Sequence, residues 1–287
     1  MTNNGGILLA GGTGSRLYPK TVVSNKHLLP VYDKPMIYYS LSIFLLSGIK
    51  NVTIVCNTHD LDSFQNLLGD GTELGIELSY SLQDKPLGIP DAINTAQVEK
   101  NYERFMVVLG DNFLYGRDVF QLIKNSIISN KNTAFYQKVK NPENFGVIKW
   151  DGQEVIDIIE KPSEYISNDA IIGIYIFDSE FSTHFKNIKK SSRGEYEITD
   201  IVKEYNIEFF EFQHIGRGTA WFDMGTNDDF FNCELFVKTI QDMQGLLVCS
   251  PHEISLQNNW ITKEYLEECL KNYKNSDYFE SLKKYAL

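Results

Sequence analysis

The chain has 287 residues, 43% hydrophobic and 23% charged, the balance of a globular protein large enough to bury most of its unfolded surface, which excludes a dominant disordered or fibrous class. Its 27 Lys and Arg against 38 Asp and Glu leave a formal charge of −11, so the long-range field repels phosphate backbones and anionic lipid; no nucleic acid and no membrane is expected as a partner. Phosphate, if bound at all, must be met locally by a few placed cations, backbone N–H groups or a metal.

The first residues carry no basic flank, and the apolar run 7–10 meets glycine at once, so no signal peptide is read and a cytoplasmic chain is expected. Strands are predicted at 6–10, 52–56, 77–82 and 104–109, alternating with helices at 36–47, 62–69 and 89–100. That alternation predicts an α/β fold built on a mostly parallel sheet. The apolar stretch 36–49 is interrupted by Ser40, Ser42, Ser47 and Gly48 and is too short to span a bilayer. Strand-like runs then crowd together at 134–139, 146–150, 155–160 and 171–177, which predicts added mixed or antiparallel strands on the substrate side. Helices return at 197–206 and 226–241, and the tail 262–286 reads as two polar amphipathic helices. The four cysteines and five histidines are scattered, without the close spacing of a disulfide framework or a zinc site.

Chemistry gathers first after the opening strand, in Gly11-Gly12-Thr13-Gly14-Ser15-Arg16. Its glycines expose backbone N–H groups that can cradle phosphate oxygens, and Arg16 and Lys26 supply two cations. The loop is neither a dinucleotide fingerprint, since Leu17 stands where the third glycine belongs, nor a P-loop, since Gly12 stands where its lysine belongs. A tight strand-to-helix turn without chemistry is the alternative. Asp111 follows the apolar strand 104–109 at the carboxyl end, where open parallel sheets bind ligands. Asp223, in a glycine-flanked segment, is a second carboxylate that could converge on it to make an oxygen-ligand site for Mg²⁺. Read alone, either aspartate could be a solvated cap residue.

Gly11–Leu17 together with Lys26-His27-Leu28-Leu29-Pro30, Asp33-Lys34-Pro35-Met36, Leu109-Gly110-Asp111-Asn112, Glu160-Lys161-Pro162, Arg193-Gly194-Glu195-Tyr196-Glu197-Ile198-Thr199-Asp200 and the segment 216–226 resembles the sugar-1-phosphate nucleotidylyltransferases, in order and over nearly the whole chain. The resemblance implies a Rossmann-like nucleotidyltransferase fold in one domain: residues 1–130 for nucleotide, 131–225 for sugar phosphate and 226–287 as a helical part, with a small added sheet. It implies nucleotide contacts at Leu9, Gly11, Gly12, Thr13, Gly14, Ser15, Gln83, Gly88 and Asp111, and sugar-phosphate contacts at Asn112, Phe145, Gly146, Glu160, Lys161, Ile172 and Arg193. Arg16, Lys26 and Lys161 become the catalytic cations, and Asp111 and Asp223 the ligands of Mg²⁺. The reaction implied is transfer of a nucleotidyl group from dTTP to α-D-glucose 1-phosphate, releasing pyrophosphate, as a first step toward deoxysugars. UTP or another hexose 1-phosphate is the alternative. A non-catalytic nucleotide-sugar sensor is a further one, although it would be expected to lose Lys26, Asp111 or Asp223. A homotetramer with a feedback nucleotide site is also implied.

The chain departs from the family pattern at His27, commonly Gln, at Gly88-Ile89-Pro90, commonly Gly-Leu-Ala, and at Phe145, commonly Tyr. None of these removes a charge from the site. The carboxamide of Gln83 is expected to accept from N3–H and to donate to O4 of thymine or uracil alike.

Overall fold

The computed structural model describes residues 3–272 and 276–286. Its first strand, Asn4–Leu9, runs parallel between Arg104–Leu109 and Asn51–Cys56, with Glu77–Leu82 parallel beyond. The three inner strands are covered on both faces, which is why they read as near-continuous apolar runs rather than as alternation. The helices expected between them are Met36–Leu46, Leu61–Leu68 and Ile89–Lys100. Met36–Leu46 has no polar face, and all but its last residue are buried, as a helix apolar all round must be.

The crowded later strands do not form a layer of their own. Asp169–Asp178 lies antiparallel to Arg104–Leu109 and carries both Gly146–Asp151 and Asn132–Lys138, with Glu154–Glu160 and Phe210–His214 outside them. The result is one mixed nine-stranded sheet, parallel at its centre. The branching follows from a break in register between Ile171 and Tyr175, centred on Gly173 at φ +70°, where a Cβ would lie 2.6 Å from the Leu109 side chain.

The helices Arg117–Ile128, Phe181–Phe185 and Pro251–Gln257 and the strand Phe210–His214 go beyond the sequence expectations, and the small added sheet consists of Asn112–Tyr115 paired antiparallel with Ala220–Asp223. That pairing is invisible locally, because four-residue strands find their partner more than a hundred residues away. One core face packs under Met36–Leu46 and the other under Ile89–Lys100 and Ile198–Glu204. A third cluster, with Phe113, Met224 and Phe230, seats Asn227–Gln244 on the small sheet. The tail forms Lys263–Asn272 and Asp277–Ala286. No helix among the described residues is long and apolar enough to cross a membrane.

Candidate active site

The glycine loop leaves the carboxyl end of Asn4–Leu9 but opens no regular helix; short 3₁₀ turns at Ser15–Leu17, Lys20–Val22 and Lys26–Leu28 follow instead. Thr13 and Ser15 are exposed on its crest. Gly14 sits at φ +62°, and a Cβ there would lie 2.7 Å from Thr21 and 3.0 Å from Lys26, so only glycine lets the loop fold back onto the lysine.

Lys26 is 6% exposed and places its ammonium 2.5 Å from Asp111 Oδ2. Its turn is capped by Asn25, whose Oδ1 accepts from the His27 backbone N–H at 2.9 Å and lies 2.8 Å from His27 Nδ1. Asn25 Nδ2 donates to Asp60 Oδ2 at 2.7 Å and to the Ala10 carbonyl, so His27 must carry its proton on Nδ1. Burial pushes the His27 imidazole down to about 4.

Asp223 reaches the site through the small sheet: it stands opposite Asn112, and the Met224 N–H donates to the Asp111 carbonyl at 3.0 Å. Burial and then the nearby Asp111 push the Asp223 carboxyl up to about 7. Burial is the largest influence on Asp111 and acts in the same direction, but the Lys26 ammonium, the neighbouring His27 and the hydrogen bonds the carboxylate accepts together hold that carboxyl below its usual range. Arg16 passes so close to Gly225 that a Cβ there would meet its guanidinium at 2.7 Å. Gly12, Gly14, Ser15, Arg16, Lys26, Asp111 and Gly225 thus line one cavity of about 220 Å³, polar and cationic on one wall. A carboxylate pair leaves most of a metal's coordination sphere to phosphate oxygens and water, which suits a hard divalent cation.

A second pocket of about 250 Å³ adjoins it, lined by Leu9, Gly11, Gln83, Gly88 and Asp111 among others. The Leu9 carbonyl is held by the Gly110 N–H at 2.8 Å. Gly88, at φ +108°, lies against the Tyr196 backbone, where a Cβ would be 2.2 Å from the carbonyl oxygen. Gln83 narrows the sequence expectation: its Nε2 donates inward, to Asp91 Oδ2 at 2.9 Å and to the Gly88 carbonyl at 3.3 Å.

Beyond Asp111, Asn112 Nδ2 donates to Asp111 Oδ1 while its own Oδ1 accepts from Trp221 Nε1. Trp221 packs edge-on against Phe145. Lys161 turns at φ +43° and bonds through its N–H to the Phe145 carbonyl, which brings Phe145, Gly146, Glu160 and Lys161 together. Arg193 lies 3.6 Å from Glu160 and is gripped by Glu197 through Nε at 3.1 Å and Nη2 at 2.5 Å. Burial raises the Glu160 carboxyl against the pull of Lys161. Ile172 is 1% exposed with its side chain in the core, so it offers only main chain. His27, Asp91, Gly110, Glu197, Trp221 and Gly225 join the site without having been assigned a contact from the sequence, although all of them except Asp91 stand within its motifs. Of these, only Glu197, four residues from Arg193, carries a spacing that signals a pair. A larger groove of about 1200 Å³ between Trp150 and Phe212 gathers none of these groups.

The family model described as nucleotidyl transferase matches residues 5–240. The chain belongs to the nucleotidyl transferase family. The glucose-1-phosphate thymidylyltransferase of Neisseria meningitidis serogroup A is 39% identical over 280 residues, 96% of this chain and 97% of that protein. That of Mycobacterium tuberculosis H37Rv is 38% identical over 275 residues, 95% of this chain and 96% of its own. A Bacillus anthracis structure assigned as glucose-1-phosphate thymidylyltransferase superposes with a TM-score of 0.75 at 35% identity, over 81% of this chain and 94% of that one. A UDP-glucose pyrophosphorylase superposes with a TM-score of 0.71 at 21% identity, over 84% of this chain and all of that one, which is a likeness of fold. As a member of the family the chain is a nucleotidyltransferase.

Proposed function

We propose that the protein transfers a thymidylyl group from dTTP to α-D-glucose 1-phosphate, giving dTDP-glucose and pyrophosphate. The observation that carries this reading is near-full-length similarity, at 38–40% identity, to relatives that bear this activity in their names. The converging Arg16, Lys26, Asp111 and Asp223 beside a pocket edged by Gln83 and Gly88 support it.

In this reading a phosphate oxygen of the sugar phosphate attacks the α-phosphorus in line, and the bond to the departing pyrophosphate breaks on the opposite side. The nucleophile is already anionic, so no general base is needed, and catalysis rests on positioning and charge. Arg16 and the loop N–H groups receive the triphosphate, and Lys26 meets the charge developing on the α-phosphoryl group. Lys161 and Arg193 hold the attacking phosphate against repulsion, while Glu160 offers acceptors to the sugar hydroxyls. Asp111 and Asp223 fit a divalent cation, Mg²⁺ in this reading: the Asp223 carboxylate enters no side-chain hydrogen bond or ion pair among the described residues, yet its charge is destabilised there. Such an ion supplies charge neutralisation to phosphate oxygens. Local cations thereby reconcile two polyanionic substrates with a net charge of −11.

Assembly of several copies, a homotetramer, belongs to the same reading, with Phe231 and Leu235, exposed one turn apart on Asn227–Gln244, as candidate contact residues. The decisive experiment is pyrophosphate release across a matrix of dTTP, UTP, CTP and ATP with several hexose 1-phosphates. Turnover led by dTTP, with UTP accepted at similar efficiency, and with glucose 1-phosphate as the preferred sugar is expected. No release with any pair, or a clear preference for ATP, would refute the reading.

A further inference from the structure

The Gln83 side chain is 9% exposed, and its amide nitrogen has both hydrogens committed inside the protein, to Asp91 Oδ2 at 2.9 Å and to the Gly88 carbonyl at 3.3 Å. Both acceptors lack a hydrogen to give: a carboxylate and a backbone carbonyl can only accept. Flipping the carboxamide would press its oxygen against two other oxygens at those same distances and lose two bonds. Gln83 Oε1 therefore stays on the pocket side, where it takes no hydrogen bond from the described residues and lies 3.4 Å from the position a Cβ on Gly11 would occupy. The amide that sequence alone leaves ambidextrous is in this fold an acceptor only.

We propose that Asp91 is a specificity-determining positioning residue, which locks the Gln83 carboxamide so that the pocket selects a base offering N–H on its pairing edge and rejects one offering a lone pair there. Thymine and uracil present N3–H to that oxygen; cytosine presents an unprotonated N3, and adenine an unprotonated N1. Asp91 lies in the first turn of Ile89–Lys100, where a carboxylate is favoured by the helix dipole. The inference rests on the proposed nucleotide site, with the base read at Gln83.

The test compares dTTP with dCTP in the wild-type protein, Asp91→Asn, Asp91→Ala and Gln83→Leu, by kcat/KM in pyrophosphate release with glucose 1-phosphate and by calorimetric binding of each nucleotide alone. An Asn at 91 can donate to a flipped Gln83, so Asp91→Asn should lower the preference for dTTP over dCTP about tenfold or more, with Asp91→Ala lowering it less. The KM for glucose 1-phosphate and the Tm should stay near wild type. A merely structural role for Asp91 would weaken both nucleotides equally. A preference within about twofold of wild type in both Asp91 variants, or equal losses for the two nucleotides, overturns the proposal. Gln83→Leu keeps the two failures apart: if it retains the full preference, the base is not read at Gln83 and the reading of the pocket itself falls. Should the wild type show no turnover of dTTP, the proposed reaction is refuted, and the binding ratios still decide the role of Asp91.

Discussion

Replacing Lys26 by Met should separate the electrostatics of folding from those of turnover. The lysine is 6% exposed and pairs with Asp111 at 2.5 Å, so its removal strands one carboxylate beside a second, Asp223. Breaking a buried pair in this way costs roughly 3–5 kcal/mol of stability near neutral pH. Adding Asp111→Asn removes the stranded charge and should return most of that loss, because the cost lies in the orphaned ion rather than in the missing attraction. Turnover behaves differently. If Lys26 stabilises charge on the α-phosphoryl group, kcat falls on the order of 10²-fold or more in the single variant, and the second substitution restores none of it. Urea unfolding followed by circular dichroism, with initial rates of pyrophosphate release, reads both quantities. In Lys26→Met the lost stability should also be regained toward acid pH, as the stranded carboxylates take up protons. A kcat within about threefold of wild type, or a double variant whose destabilisation is the sum of the singles, would refute the reasoning.

Glu197→Gln should loosen the grip on Arg193 and raise the KM for glucose 1-phosphate about tenfold, with little change for dTTP and no further effect in an Arg193→Ala background; equal rises in both KM values would exclude a positioning role. His27 and His252, 3% and 4% exposed, are each pushed down to about 4 by burial, whereas unfolded they take up a proton near 6.5. The unfolded chain then binds more protons over that window, so stability should fall as pH drops from 6.5 toward 4, by up to about 3 kcal/mol for each histidine. His252→Phe should flatten part of that slope, and a urea midpoint indifferent to pH across the window would contradict it. Phe145→Tyr adds one hydroxyl near Trp221 and should sharpen discrimination among hexose 1-phosphates by no more than about tenfold, so a change of several hundredfold would mean that the ring does something else.

Much of the architecture was legible in the chain itself, because burial on both faces writes near-continuous apolar runs into the strands 52–56 and 104–109, and a helix without a charged residue into 36–46. The ordered motifs also pointed to the candidate site groups, since Lys26, Asp111, Glu160, Lys161 and Arg193 stand at fixed places relative to those elements. What stayed hidden was every relation between distant segments. The pairing of Ala220–Asp223 with Asn112–Tyr115 brings Asp223 to Asp111, and no local pattern encodes a two-strand ladder closed across more than a hundred residues. The same holds for polarity. As a residue type Gln83 can donate or accept; only the arrival of Asp91 and the Gly88 carbonyl at its nitrogen leaves the oxygen facing the pocket. Residue types and their order carry the chemical inventory of this protein, but hydrogen bonds and charge pairs are short-ranged, so which member of that inventory acts on which is decided only when the tertiary fold brings them within a few ångströms.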